Sequence, residues 1–324
     1  MTLWVDVAAR ARGLRTHRLA PGALAGLARA PDLATLGRQL RLAGFPVDEG
    51  ERRAEALEQA ARRRAAAELA LLARWCGPRA AVLAVIFEDE DRRSLRALLR
   101  GALQHAPAAA RLAGLVPTPT LPERALAELA AVRDPAAARA LLSVWAHPFA
   151  RALRAALASA TPDPIEIELA LDRAWASRAV AGARGAGPEV ARLVADALDL
   201  TNAVTVLALA GRAPRRAGEQ LLEGGTRLDR VTYSALLARD RAAAARALAD
   251  LFSGTQYAAV FRRAPVPGLE DAVLAARLAA ARAAARRAPL SPAPALWYAL
   301  ELRAETTAVS RAVWRLALGA PAAA

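Results

Sequence analysis

The chain has 324 residues, a hydrophobic fraction of 55% and a formal net charge of +14, and all 45 of its basic residues are arginine. Alanine, arginine and leucine favour helices, whereas the β-branched and aromatic residues that favour strands are sparse, so the composition predicts an all-α fold. The single cysteine, Cys76, excludes an intrachain disulfide and a cysteine-based zinc site. No apolar run reaches the ~18 residues of a transmembrane helix, which predicts a soluble protein with only peripheral membrane contact.

Proline and glycine residues divide the predicted helices in chain order. Two short helices are expected before residue 42, and a long amphipathic helix is expected from Asp48 to Trp75, where Gly77-Pro78 ends it. The next helix is predicted over residues 79–103, and a proline-marked connection follows in which Thr118 or Thr120 can cap the helix after it. Further helices are predicted near residues 123–132, 135–159 with an interruption at 147–148, 164–180, 188–209, 232–251, 269–287 and after 294.

A short polar pattern recurs in three of these predicted helices. An acidic residue is followed three positions later by a small residue and then an apolar one, in Asp91-x-x-Ser94-Leu95, Asp199-x-x-Asn202-Ala203 and Glu305-x-x-Ala308-Val309. The spacing of the three acids exceeds the ~20–50 residues of solenoid repeats, so we expect small helical bundles around a pseudo-threefold axis. The predicted bundles are residues 1–115, 116–215 and 216–324. A chain so rich in alanine, leucine and arginine also produces such matches by chance.

The recurring acids predict a cluster of polar groups inside the protein. Positions i and i+3 share a helix face, and a buried acid requires partners. We therefore expect Asp91, Asp199, Asn202 and Glu305 near the pseudo-axis, where they line a central opening or tie bundles together, with arginines from adjacent helices as partners. The alternative is that they cap or solvate helix ends.

The high positive charge has two interpretations. It could mark a nucleic-acid surface, but the arginines are scattered along the chain rather than clustered on one helix. In the densest stretch, Arg62, Arg63 and Arg64 are interleaved with Glu58 and Glu68 at the spacing of helical ion pairs. This favours solvated helix faces and predicts no nucleic-acid partner. We expect arginine on the rim and outer surfaces and apolar or small residues in the central opening.

One stretch predicts an enzyme as an alternative. Residues 87–91, Phe-Glu-Asp-Glu-Asp, resemble the aspartate-rich magnesium motif of terpene synthases, which binds a diphosphate through the metal. Asn202 and Thr205 fit the second metal motif of that family, but Leu209 occupies its glutamate position, and aromatic residues are only 4% of the chain. The three histidines are far apart, and no phosphate-binding loop is present. The main prediction is therefore a protein without catalytic residues, metal or cofactor.

Several short motifs together resemble a known family. They are Ala9-Arg10-x-Arg12, Asp91-x-x-Ser94-Leu95, His147-Pro148-x-Ala150-Arg151, Asp199-x-x-Asn202, Leu222-x-Gly224-Gly225, and Tyr298 with Glu305. Their order and spacing resemble the C-type central-stalk component of the bacterial and archaeal V/A-type ATPases, the counterpart of the d-type component in eukaryotic V-ATPases. The resemblance spans nearly the whole chain, although this sequence has Ser94 where the family usually has asparagine.

The resemblance implies a fold, a function and partners. The family is a funnel of three similar helical bundles that seats the central rotor stalk, which the D and F proteins form, on the membrane proteolipid ring of c or L proteins. It implies a non-catalytic adapter that transmits torque for proton or sodium transport coupled to ATP, and that lies in the cytoplasm, peripheral to the inner face of the cell membrane. The candidates for the polar motif or a subunit interface are Asp91, Ser94, Asp199, Asn202, Gly224, Gly225 and Glu305.

Overall fold

The computed structural model describes residues 4–159, 161–212, 218–262 and 268–320, and these contain α-helices, short 3-10 segments and turns, with no strand among them. The prediction of an all-α fold is confirmed. The helices of these ranges are α1 Val5–Leu14, α2 Pro21–Ala28, α3 Leu33–Leu42, α4 Ala54–Cys76, α5 Ala84–Leu103, α6 Ala108–Leu112, α7 Glu123–Ala131, α8 Pro135–Val144, α9 Leu153–Ala156, α10 Pro164–Ala183, α11 Pro188–Leu209, α12 Arg230–Leu237, α13 Arg241–Leu251, α14 Ala258–Arg262, α15 Leu269–Arg287 and α16 Ala293–Ala317.

Long and short helices follow a recurring order along the chain. Long helices occur in consecutive pairs, α4 with α5, α10 with α11, and α15 with α16, and short helices fill the stretches between the pairs. The second member of each pair carries one copy of the polar pattern. We call α5, α11 and α16 the motif helices.

Local side-chain chemistry sets several helix starts. Asp134 and Asp163 each precede a proline at the first helical position, and each carboxylate accepts a hydrogen bond from a backbone N–H in the first turn. The helix predicted from Asp48 begins instead at Ala54, because the Glu51 carboxylate accepts the backbone N–H groups of residues 52 and 53 and turns the chain. The helix predicted over 232–251 is divided, since Asp240 caps a separate α13.

Apolar packing assigns each motif helix to the short helices beside it. One core joins α5 to α7, α8 and α10 around the fully buried Trp175 and Phe149, and it also includes residues of α1, α4 and the N-terminal halves of α11 and α16. A second joins the C-terminal half of α11 to α12–α15 around Tyr233 and Phe252. A third joins the C-terminal half of α16 to α2, α3 and the start of α4. The last helix of the chain therefore packs on the first ones.

The third core connects the two ends of the sequence by hydrophobic burial. Leu36, Leu40 and Leu57 from the first part of the chain are fully buried with Val309 and Val313 of α16. Burying each such side chain contributes about 1.5–3 kcal/mol, so this core outweighs any single polar contact between the ends. The division into bundles at 115/116 and 215/216 stays a prediction, and the second boundary lies outside the described residues.

Within the described ranges, no single helix has the length and apolar composition needed to cross a membrane. The bent pair Ala54–Leu83 and Val85–Leu103 passes that test only when its two parts are taken together, on length and composition alone.

Candidate functional site

The first motif acid, Asp91 on α5, is completely buried and binds the connection that leads to α7. Its two carboxylate oxygens accept hydrogen bonds from the hydroxyl groups of Thr118 and Thr120, and Nε2 of His147 lies 3.4 Å from Oδ2. Thr118 Oγ1 in turn accepts the backbone N–H of Leu121 at 2.9 Å. The two threonines, which the sequence assigned to helix capping, therefore attach their connection to α5.

The second motif acid, Asp199 on α11, is also completely buried, and it binds backbone N–H groups. It accepts those of Thr226, Arg227 and Leu228 at 2.8, 3.0 and 3.2 Å. Burial raises the pKa of Asp199, and the three N–H groups oppose that rise by stabilising the charged form. The loop approaches so closely that a Cβ atom at Gly225 would lie 2.0 Å from Asp199 Oδ1, which explains the glycine there.

The rest of the second motif holds the same loop. The Asn202 side chain accepts the backbone N–H of Leu222 at 2.8 Å and donates to its carbonyl oxygen at 2.9 Å. Gly224 has a φ of +107°, and a Cβ atom there would lie 2.6 Å from a methyl carbon of Val180. Gly224-Gly225 thus lies in a loop that is bound to α11.

The third motif acid, Glu305 on α16, binds the beginning of the chain. Its Oε2 atom accepts the backbone N–H of Leu19 at 2.8 Å and Nε of Arg18 at 2.9 Å. One turn earlier, Glu301 accepts two hydrogen bonds from Arg15, at 2.6 and 3.0 Å. Glu305 is the motif acid that has the expected arginine in hydrogen-bonding contact.

The three acids share one structural role. Each binds a segment that leads into short helices. Asp91 binds residues 118–121 before α7, Asp199 binds 226–228 before α12, and Glu305 binds 18–19 before α2. The side chains of Asp91, Ser94, Asp199, Asn202 and Glu305 are all buried, whereas Gly224 is exposed on its loop. These contacts are made within the chain. A role of the seven candidates at a subunit interface stays a prediction.

A second polar region surrounds Asp89, two positions before Asp91. Asp89 Oδ1 accepts Nη2 of Arg92 at 2.5 Å, and Oδ2 accepts Nη1 of Arg303 at 3.0 Å. Arg93 and Arg277 each place a nitrogen 3.5 Å from the same Oδ2. Burial raises the pKa of Asp89, but the four guanidinium groups lower it well below its ordinary value. Asp89 is therefore a buried carboxylate shared by helices α5, α15 and α16.

The ion pairs around Asp89 continue along α5. Arg92 and Arg96 both contact Asp172 Oδ1, at 2.5 and 2.6 Å, and Arg92 also stacks on the ring of Trp175. Glu168 of α10 pairs with Arg96 at 3.7 Å and with Arg100. We call the connected group the arginine network. It consists of Arg92, Arg93, Arg96, Arg100, Arg277 and Arg303 with Asp89, Glu90, Glu168 and Asp172.

A cavity of about 560 Å³ adjoins the network, and all three motif helices contribute to its wall. The expectation of apolar and small residues in a central opening stays a prediction. The wall of this cavity contains such residues, among them Gly114, Leu200 and Val204, together with arginines. Hydroxyl groups of α11 and α16 line another part. The arginines and hydroxyl residues of the wall are Arg92, Arg93, Arg96, Arg277, Arg303, Arg311, Thr201, Thr205, Thr306, Thr307 and Ser310.

The acid run on α5 does not fit a magnesium motif. Such a site needs carboxylate oxygens that converge on one cation. Glu88 accepts hydrogen bonds from Arg178 at 2.7–2.8 Å, Asp89 accepts from the arginine network, and Asp91 accepts from threonines. No group of three or more histidine, cysteine, aspartate or glutamate residues that could hold a metal occurs in the part of the chain that the structure describes. The carboxylates of this run already bind partners within the chain, and these contacts hold neighbouring helices together.

These features define an all-α protein whose buried acids join helices and whose arginines face a cavity shared by three of them. The sequence matches the model of the family described as ATP synthase (C/AC39) subunit over residues 7–311. The chain belongs to this family, which contains the C-type component of V/A-type ATPases and its eukaryotic d-type counterpart. The resemblance inferred from the motif order is thereby confirmed. A comparison with curated proteins found no match.

Proposed function

We propose that this protein is the non-catalytic central-stalk adapter of a rotary V/A-type ATPase. In this role it seats the rotor stalk of D and F proteins on the membrane proteolipid ring and transmits torque for proton or sodium transport coupled to ATP. Family membership supports a place in the rotary complex. The observation that carries the finer proposal is the cavity, because side chains from α5, α11 and α16 meet there and a partner inserted into it contacts all three.

The size of the cavity limits what it can hold. One turn of an α-helix rises 5.4 Å and is 10–12 Å wide with its side chains, so it occupies roughly 420–610 Å³. The cavity measures about 560 Å³. The two volumes are of the same order, so we propose that the end of a single helix enters the cavity and that the remainder of a longer stalk contacts surfaces outside it.

Torque transmission requires a rigid cavity wall. Asp89 connects α5 to Arg277 of α15 and Arg303 of α16, while Arg92 connects α5 to Asp172 of α10. Removing one partner from such a buried pair typically costs about 3–5 kcal/mol. The arginine network thus supports a rigid connection between long helices and adds to the apolar core that α5, α10 and α16 share.

The same contacts support a pseudo-threefold funnel with a specific grouping of helices. In our proposal each unit consists of three parts. They are a motif helix, the short helices that follow the segment bound by its acid, and the next long helix. These units are α5 with α7, α8 and α10; α11 with α12, α13 and α15; and α16 with α2, α3 and α4. This grouping differs from the bundles predicted from the sequence, 1–115, 116–215 and 216–324, in which each motif helix belongs with the helices that precede it in the chain. The motif candidates then act as internal ties rather than as contacts to a partner.

The remaining features of the proposal concern location and ligands. The protein lies in the cytoplasm, peripheral to the inner face of the cell membrane, where it meets the loops of the proteolipid ring. It takes no cofactor or nucleotide and binds no nucleic acid. Arginines on helix faces pair with neighbouring acids, such as Arg63 with Glu123 and Arg287 with Glu189.

A binding experiment tests the proposed function. The purified chain is titrated with the D and F stalk complex of the same source, and in parallel with duplex DNA and with magnesium diphosphate. We expect saturable binding to the stalk complex at physiological salt and none to the other two ligands. Lack of stalk binding, or specific binding of magnesium diphosphate that is lost in Asp91→Ala, would contradict the proposal.

A further inference from the structure

The arginine network contains more positive than negative groups. Among the described residues it joins six arginines to Asp89, Glu90, Glu168 and Asp172, which leaves two positive charges without a carboxylate. Arginine does not lose its proton at any physiological pH, so the shortage cannot be relieved by titration. A further anion that enters the cavity would balance the network.

The excess lies on two arginines that face the cavity. The acidic contacts of Arg93 and Arg277 within the described part of the chain are to Asp89 alone, at 3.5 Å, and Arg303 lies closer to the same oxygen. Nε of Arg93 is buried without a hydrogen-bond acceptor. A buried donor of this kind costs free energy until an acceptor reaches it. Both side chains are therefore placed to bind an additional oxyanion.

The other acids that line the cavity do not supply that charge. Glu58 has its own arginine, Arg62, at 3.8 Å, and Asp271 pairs with Arg311. Glu270 is exposed in the first turn of α15, where water screens it. A bound ligand can therefore supply the counter-charge for Arg93 and Arg277.

We propose that the partner helix end held in the cavity carries a carboxylate, from an acidic side chain or a chain terminus, that Arg93 and Arg277 bind. A guanidinium group presents paired N–H donors that match the two oxygens of a carboxylate. The inference rests on the proposed function, because the cavity volume is of the same order as that of one turn of such a helix. The carboxylate completes a charge-balanced contact with α5 and α15 and gives the socket a preference for an acidic helix end.

The test compares stalk binding by three variants that each lose one positive charge. Arg93→Gln and Arg277→Gln remove the proposed carboxylate ligands, and Arg282→Gln removes an exposed arginine from the same helix as Arg277. The Kd for the D and F stalk complex is measured for each by calorimetry, with melting temperature as the check on folding. We expect Kd to rise about 10-fold or more for the two cavity variants and to stay within about twofold for the control.

The outcomes separate this inference from the proposed function. Equal stalk affinity for wild type and all three variants overturns the carboxylate inference and leaves the adapter function in place, whereas no binding by wild type removes both. Inorganic phosphate is titrated in the same way. The inference is overturned if phosphate binding is lost in Arg93→Gln and Arg277→Gln while stalk affinity is unchanged. The cavity would then be a site for free anions. Should Arg277→Gln fail to fold, the more exposed Arg93→Gln decides the result.

Discussion

Two acids on the same helix, Asp91 and Asp89, have opposite kinds of surroundings. Asp91 accepts hydrogen bonds from the threonine hydroxyls of a neighbouring connection, and these neutral donors require no further counter-charge. Asp89 is bound by arginines from three helices that outnumber the acids near them. A buried acid that is locally satisfied therefore fixes the fold, whereas one surrounded by surplus cations leaves binding capacity for another molecule.

Replacing Asp89 tests the arginine-rich side of the comparison and has the largest expected effect. Asp89→Asn leaves Arg92, Arg93, Arg277 and Arg303 without their shared counter-ion, and we expect the free energy of unfolding to fall by about 3–5 kcal/mol. Urea denaturation measures it. The matched control is Asp271→Asn, since that acid is half-exposed and its pair with Arg311 is worth about 1 kcal/mol or less. Equal losses for the two variants would contradict the special role of Asp89.

Adding a single methyl group tests the close packing around Asp199. In Gly225→Ala the new Cβ atom would meet Asp199 Oδ1 at 2.0 Å, so the loop must move away from its hydrogen bonds. We expect a loss of about 2–3 kcal/mol in the free energy of unfolding. Gly26→Ala is the control. It places a Cβ atom in open space within α2 and should stabilise the protein by about 0.5–1 kcal/mol. A loss of stability in this control would mean that the loss in Gly225→Ala cannot be attributed to the contact with Asp199.

A double-mutant cycle measures the contact between the two chain ends. Glu305→Gln and Arg18→Gln each remove one charge from a pair that is 2.9 Å apart and mostly buried. We expect a coupling energy of about 1–2 kcal/mol, because the pair is partly shielded from water and Glu305 keeps its bond to the N–H of Leu19. Thermal and urea unfolding of the four proteins give this value. A coupling near zero would mean that Glu305 holds the segment through the backbone bond alone.

The smallest effect concerns pH and distinguishes Asp199 from Asp89. The folded pKa of Asp199 is raised by burial, so the folded protein takes up this proton before the unfolded chain does. Its contribution to stability therefore increases as pH falls through the folded pKa towards the unfolded value of about 3.9. We expect the difference in unfolding free energy between wild type and Asp199→Asn to grow in favour of wild type over that range. A difference that shrinks on acidification would contradict the raised pKa.

The sequence predicts the helices and the positions of the recurring acids, because these depend on composition and local spacing. It does not predict what the acids bind. The donors for Asp199 are backbone N–H groups, which every residue type except proline carries, and Arg18 is 287 residues away from Glu305. Thr118 and Thr120 could be recognised as polar groups in a connection, but their direction depends on how α7 packs against α5.

The cavity shows why the sequence did not predict which arginines lie inward. A surface location is the ordinary expectation for arginine. Arg277 and Arg303 lie on helices far along the chain from Asp89, and only their packing around one carboxylate brings them inward. The acid run of residues 88–91 was the available signal. It was interpreted, as an alternative to the main prediction, as a metal motif, whereas its excess of negative charge on a buried helix predicts arginine partners equally well.

The packing of α16 on the first helices of the chain has a consequence for biosynthesis. Leu57 leaves the ribosome about 250 residues before Val309, its neighbour in the third core, and at roughly 5–20 residues per second this interval lasts about 12–50 s. During that time α2, α3 and the start of α4 have no C-terminal helix to cover their apolar faces. The nascent chain therefore exposes an unfinished core until α16 emerges, and exposed apolar surface of this kind favours chaperone binding during that interval.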